Sequence, residues 1–174
     1  MISDGSEDFS VTSLNGGSAT HDIVTFTMSG ATYYAKAGTI DTKSSISKYT
    51  DSGWVDVGAN FGDIGEVRAF SIFDFNGKTF IAAAVFKQEG KFAAASKIFE
   101  FDGSSVVSIA NIPSQGAEAV ATFVHGNKAY IAVANRRGDS RSEQNASSTL
   151  HTFDGSSISL SQTFGTGLSG TEDV

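Results

Sequence analysis

Cysteine is absent from the 174 residues. That excludes disulfides and thiolate metal sites, but it assigns no compartment, because extracellular propellers and sandwiches can fold without bridges. No stretch approaches the ~20 continuous apolar residues of a membrane span, so none is expected. The first residues, Met1-Ile2-Ser3-Asp4-Gly5, show neither a basic n-region nor an apolar h-region. No signal peptide is read there, and a secreted protein would hold this chain as a mature fragment or excised domain. Positive charge is sparse, with 12 Lys and Arg against 19 Asp and Glu and a net charge of −7. The basic residues are scattered, and only Arg136 and Arg137 are adjacent. Phosphate binding needs clustered cations, so no nucleic-acid partner is expected. Helical periodicity is equally scarce. The single proline and 40% hydrophobic content point to an ordered globular chain long enough for one domain with a substantial core.

What is present is a line written three times: Thr32-Tyr33-Tyr34-Ala35-Lys36-Ala37-Gly38, Thr79-Phe80-Ile81-Ala82-Ala83-Ala84-Val85 and Ala129-Tyr130-Ile131-Ala132-Val133-Ala134-Asn135. A polar loop follows each copy, then a short segment ending in an aromatic, at Tyr49, Phe101 and Phe153. Even spacing of this kind means one supersecondary unit copied in tandem.

Within the unit, strand A (Ile23 to Phe26, Val67 to Phe75, Ala119 to Val124) runs into Ser29-Gly30, Asn76-Gly77 or Gly126-Asn127, all hairpin chemistry. Strand B is the repeated line, apolar on both faces and therefore expected to be buried on both. Strand C (Ile46 to Tyr49, Ile98 to Phe101, Leu150 to Phe153) leads through Asp51-Ser52-Gly53, Asp102-Gly103 or Asp154-Gly155 into strand D (Trp54 to Val57, Val106 to Ile109, Ile158 to Leu160). The segment Lys91 to Ser96 contains helix formers but is too short for a stable helix, and it reads as a loop entering a strand.

Four antiparallel strands per repeat make a β-propeller blade. The predicted fold is all-β, with an orphan strand D and linker over 1–20 and repeats over 21–66, 67–118 and 119–174. The extra strand is read from Asp4-Gly5 and Phe9-Ser10-Val11. Propellers close with ~4–8 blades, so three should form a partial ring or one completed by oligomerisation. The chain stops where the next strand A would begin, and the parent protein is expected to continue.

The run Gly126 to Asn135, followed by Ser148-Thr149-Leu150-His151-Thr152-Phe153-Asp154-Gly155, resembles the epilepsy-associated repeat, also called EPTP. The second copy is similar, whereas the first departs at Lys36 and Gly38. The resemblance implies a seven-bladed propeller in extracellular or cell-surface proteins, used to bind other proteins rather than for catalysis.

An acidic residue recurs at the entry to strand A, at Asp22, Glu66, Glu118 and Glu172. Strand A is innermost in a propeller, so these carboxylates could converge at the channel mouth and offer oxygen ligands to Ca²⁺. The alternative is four solvated turns, since the dense Asp/Asn/Gly spacing of a Ca²⁺ loop is missing. No cofactor is required. The third B–C loop contains Arg137-Gly138-Asp139-Ser140, the tripeptide integrins recognise with its following serine, or else simply a solvated loop tip. Asn145-Ala146-Ser147 on the same loop is a glycosylation sequon.

His21, His125 and His151 form no metal spacing and no nucleophile elbow is present, so the chain is expected not to be an enzyme. Trp54 could stack on sugar or pack between blades. Three functions follow: a protein-interaction module, a self-assembling subunit that pairs through unpaired blade edges (a homo-oligomer, or part of a longer chain), and a lectin.

Overall fold

The computed structural model describes residues 20–138 and 146–165. Within them lie twelve strands and no helix: β1 Thr20–Met28, β2 Ala31–Gly38, β3 Ser45–Thr50, β4 Gly53–Asp56, β5 Glu66–Phe75, β6 Lys78–Lys87, β7 Ser96–Phe101, β8 Val106–Ile112, β9 Ala117–His125, β10 Lys128–Asn135, β11 Ser148–Phe153 and β12 Ile158–Phe164. They form three four-stranded antiparallel sheets in the orders β1-β2-β3-β4, β5-β6-β7-β8 and β9-β10-β11-β12. Each is a meander of the propeller-blade kind, and the three blades do not close into a ring. The expected N-terminal orphan strand lies outside the described residues.

The turn residues set the hairpins. Ser29 and Gly30, like Asn76 and Gly77, all have positive φ, the type I′ geometry whose twist matches that of paired strands. In the third blade only Gly126 is positive, which gives the type II′ alternative. The C–D turns close differently. Asp102 Oδ1 accepts from the N–H groups of Ser104 and Ser105, and Asp154 Oδ1 does the same for Ser156 and Ser157. These backbone donors hold both carboxyls below the usual carboxylate range.

The core lies between blades, in two layers. One gathers Tyr33, Ala35, Ala37 and Ile46 of blade 1 against Phe70, Ile81, Ala83, Phe99 and Phe101 of blade 2. The other sets Phe73, Phe80, Ala82, Ala84 and Ile98 of blade 2 against Ala129, Ile131, Val133 and Phe153 of blade 3. Side chains alternate across each pleat, so the Tyr33/Phe80 row faces the following blade and the Ile81/Ile131 row faces the preceding one. The small alanines allow sheets to approach closely.

At the centre of each layer is the same aromatic contact. Phe26 and Tyr33 stack at 5.3 Å, and Phe101 of the next blade stands edge-on to both, at 5.9 and 5.4 Å. Phe73 and Phe80 stack at 5.4 Å, and Phe153 meets them edge-on at 6.2 and 5.1 Å. Offset stacks and edge-on contacts are the favoured arrangements of aromatic quadrupoles.

Burial of strand B on both faces holds fully only for β6, where every residue from Thr79 to Phe86 is buried. Tyr34 and Lys36 in β2, and Tyr130 and Ala132 in β10, are only partly covered. These are the rows for which no neighbouring blade is described. The segment before β7 is a loop tied by a bridge between Gln88 and Lys91, with β7 starting at Ser96.

Phe101 and Phe153 are 2% and 1% exposed, whereas their repeat equivalent Tyr49 is 58% exposed. Phe101→Ala or Phe153→Ala should each cost about 3–5 kcal/mol of unfolding free energy in urea melts, and Tyr49→Ala less than about 0.5 kcal/mol in the monomeric chain.

Candidate functional site

Two features distinguish this molecule from a plain stack of sheets: a charged ladder along the innermost strands and two open aromatic blade faces. The ladder begins with β-bulges at one place in every blade. The β1–β2 register skips His21, the β5–β6 register skips Arg68 and the β9–β10 register skips Glu118. A bulged residue leaves the pleat and re-aims its side chain. Three polar side chains, one per blade, are thereby brought into line.

Glu66 Oε1 lies 2.7 Å from Arg68 Nη2 and 3.2 Å from His21 Nε2. Arg68 Nη1 approaches His21 Nδ1 at 3.4 Å. A guanidinium can only donate, so Nδ1 presents its lone pair and the ring proton sits on Nε2. That N–H faces Glu66, but off the line of a hydrogen bond. Arg68 Nε faces Glu118 Oε2 at 3.8 Å, a charge contact, while Arg136 Nη1 donates to Glu118 Oε1 at 3.2 Å. The Arg68 guanidinium also covers the Phe86 ring at 4.3 Å, a cation–π contact. Charge alternates along the ladder, from Glu66 through Arg68 and Glu118 to Arg136.

The acidic positions read from the sequence fare differently from one another. Asp22 accepts the Phe70 N–H at 2.9 Å and so ties β1 to the middle of β5 across the blade boundary. Glu66 and Glu118 join the ladder, where Arg68 and Arg136 stand against them, and Glu172 lies outside the described residues. Among the described residues no three carboxylates, histidines or cysteines gather into a group able to hold a metal ion. Asp22, Glu66 and Glu118 are therefore not solvated turn residues; each has a protein partner. Arg68 and Arg136, neither of them a candidate site residue on sequence grounds, are the cations that organise them. Arg68 was detectable as the repeat equivalent of His21 and Glu118, but nothing in the sequence signals a bulge.

Of the Arg-Gly-Asp tripeptide, Arg137 and Gly138 lie among the described residues. The Arg137 N–H donates to Gln115 O at 3.4 Å, its guanidinium lies 6.0 Å from the Phe92 ring, and Gly138 is buried. Arg137 is thus folded back onto the protein. Asp139, Ser140 and the sequon Asn145 lie outside the described residues. Asn135, the asparagine of the third repeated line, knits the loop bases. It accepts from Gln115 N at 3.0 Å and donates to Ser147 O at 2.9 Å.

His125 lies at the end of β9, and His151 is buried in the layer between blades 2 and 3, beside Ile131. Burial holds the His151 pKa below the usual histidine value.

The open faces are aromatic. On blade 1, Trp54 meets Tyr34 at 4.8 Å and Tyr49 at 5.2 Å, both edge-on. On blade 3, Phe123 and Tyr130 stack at 4.7 Å, nearly parallel at 4°.

No family model matches the chain, and no curated protein matches it. Among solved structures it is similar to an alpha-L-arabinofuranosidase (CtGH43) from Clostridium thermocellum ATCC 27405, with a TM-score of 0.52 and 15% identity over 88% of this chain. The match spans 56% of that protein, little more than half its length. The neighbour is a β-propeller, so the class of fold is common to both. Its identity as a glycoside hydrolase corrects one expectation. Exclusion of an enzyme does not stand, because the structural neighbour is itself a glycoside hydrolase. At this identity the likeness shows the fold alone and assigns no reaction here.

Two outcomes test the site. Arg68→Ala removes contacts from three blades at once and should lower stability by about 1–2 kcal/mol, with incomplete rescue by Arg68→Lys, which lacks the planar fork. The His151 shift sets a pH dependence. Because the folded pKa is depressed, the unfolded chain takes up the proton first as pH falls below about 6.5. Stability is then full above that value and declines toward the lower folded pKa. The melting temperature should drop further between pH 7.5 and 5 for the wild type than for His151→Gln.

Proposed function

We propose that this chain is a protein-interaction module built from blades that resemble the epilepsy-associated repeat, acting outside the cell or at its surface. The observation that carries this reading is the pair of apolar blade faces that no described residue covers at the two ends of the array. Phe123 is 52% and Trp54 42% exposed, and each belongs to an aromatic cluster rather than standing alone. Contiguous exposed apolar surface in an otherwise well-buried molecule marks interaction sites, and aromatic residues supply most of their binding energy. The lectin reading is weaker on this geometry. Tyr34 and Tyr49 lie at 64° and 63° to Trp54, a cleft of ring edges rather than a flat platform for a sugar.

The test is binding of the intact chain to arrayed, purified cell-surface ectodomains, compared with Phe123→Ser and with Val107→Ser. Val107 is an exposed residue of β8 on the middle blade. The reading expects at least one ectodomain whose affinity falls about tenfold with Phe123→Ser and is unchanged with Val107→Ser. Absence of any such ectodomain overturns it.

A further inference from the structure

Each blade carries two halves of one contact. Its forward face bears a stacked aromatic pair, which acts as a socket: Phe26–Tyr33, Phe73–Phe80 and Phe123–Tyr130. Its backward face bears one aromatic at the end of the third strand, the knob: Tyr49, Phe101 and Phe153. Within the chain two knobs are seated in two sockets. Phe101 stands edge-on in the first socket and Phe153 in the second. Among the described residues one socket and one knob remain over, and they lie on opposite ends of the array. The Phe123–Tyr130 socket is already formed with no described residue seated in it, and its rings are the closest and flattest of the three. The leftover knob Tyr49 is held by its edge contact to Trp54.

We propose that the occupant of the blade 3 socket is Tyr49 of a second copy of this chain, so that copies pack blade 1 onto blade 3 head to tail. This deepens the interaction-module reading and rests on it, naming the partner for the same faces. The argument is continuity with the two blade interfaces already present. The missing contact has the same chemistry, and both of its halves are encoded once in each chain. A foreign partner would have to match a knob at one end and a socket at the other. A second copy matches both. The described blades of two chains number six, within the ~4–8 at which propellers close. Two identical contacts related by a two-fold axis can then join them into a ring.

The experiment is sedimentation of the full chain from 1 to 100 μM, with Trp54, the only tryptophan, as an emission reporter beside the knob. The expected result is a dimer with blue-shifted emission. Tyr49→Ala alone and Phe123→Ala alone should each weaken association about 10- to 100-fold. Both residues are largely exposed, so the monomers should keep their melting temperatures. The decisive arm mixes the two variants. Each retains the half that the other lacks, so a head-to-tail contact restores a one-to-one pair, whereas a symmetric blade 1 to blade 1 or blade 3 to blade 3 contact does not. A wild-type monomer at 100 μM, an association insensitive to both substitutions, or no rescue on mixing overturns the proposal. A monomer that still binds an ectodomain through Phe123 sinks self-pairing alone, whereas self-association with no ectodomain binding sinks only the cell-surface reading.

Discussion

A blade of four antiparallel strands has two faces and no means of burying either by itself, and most of this molecule's structure answers that constraint. Each sheet here finds its core in the neighbouring sheet. The contact at the centre of that core is an aromatic edge seated on a stacked aromatic pair. It needs a long ring at the start of strand B, another at the end of strand A, and a third at the end of strand C one repeat later. Alanines follow the first of these rings on the same face of strand B, Ala35 and Ala37 in blade 1 and Ala82 and Ala84 in blade 2, where close approach of the next sheet leaves little room for larger side chains. The hairpin chemistry, the strand lengths and the spacing of the repeats keep these three rings in register.

The innermost strands add a second, polar level of connection. A bulge at one position per blade turns His21, Arg68 and Glu118 out of the pleat, and Glu66 and Arg136 complete an alternating line of charge. Asp22 reaches across to a backbone N–H of the next blade, and the Ser71 and Thr122 hydroxyls meet 2.7 Å apart between the second and third. The apolar layers hold faces together. The polar contacts fix how one inner strand is offset from the next, since charge and hydrogen-bond geometry tolerate less sliding than apolar contact does. The likeness to the arabinofuranosidase is one of fold alone, so function here has to be argued from sites and not from the fold.

Much of this was legible in the residues. Four strands per repeat, their order and every hairpin follow from apolar runs broken by Asn-Gly, Gly-Asn and Asp-Gly, because these turns depend on local backbone chemistry. The carboxylates were found as a recurring feature, but their partners were not. Arg68 stands two residues from Glu66 and would point to the same side in a regular strand, yet its tie to Glu118 of another blade depends on a bulge and on blade packing. The Arg-Gly-Asp tripeptide looked like a loop tip by composition, while Arg137 is drawn back onto Phe92 and Gln115, distant residues that no local pattern connects to it.

The sequence by itself determined that the chain repeats a four-stranded antiparallel unit three times, since period, alternation and turn residues act over a few residues and can be read there. Which faces are covered depends on how the blades pack in space. Tyr49, Phe101 and Phe153 occupy one place in the repeat, but two are buried and one is open, because burial depends on the sheet that lies alongside. The tertiary structure likewise decided that the acids of the inner strands meet arginines rather than one another, an outcome of how three bulged strands are offset in space.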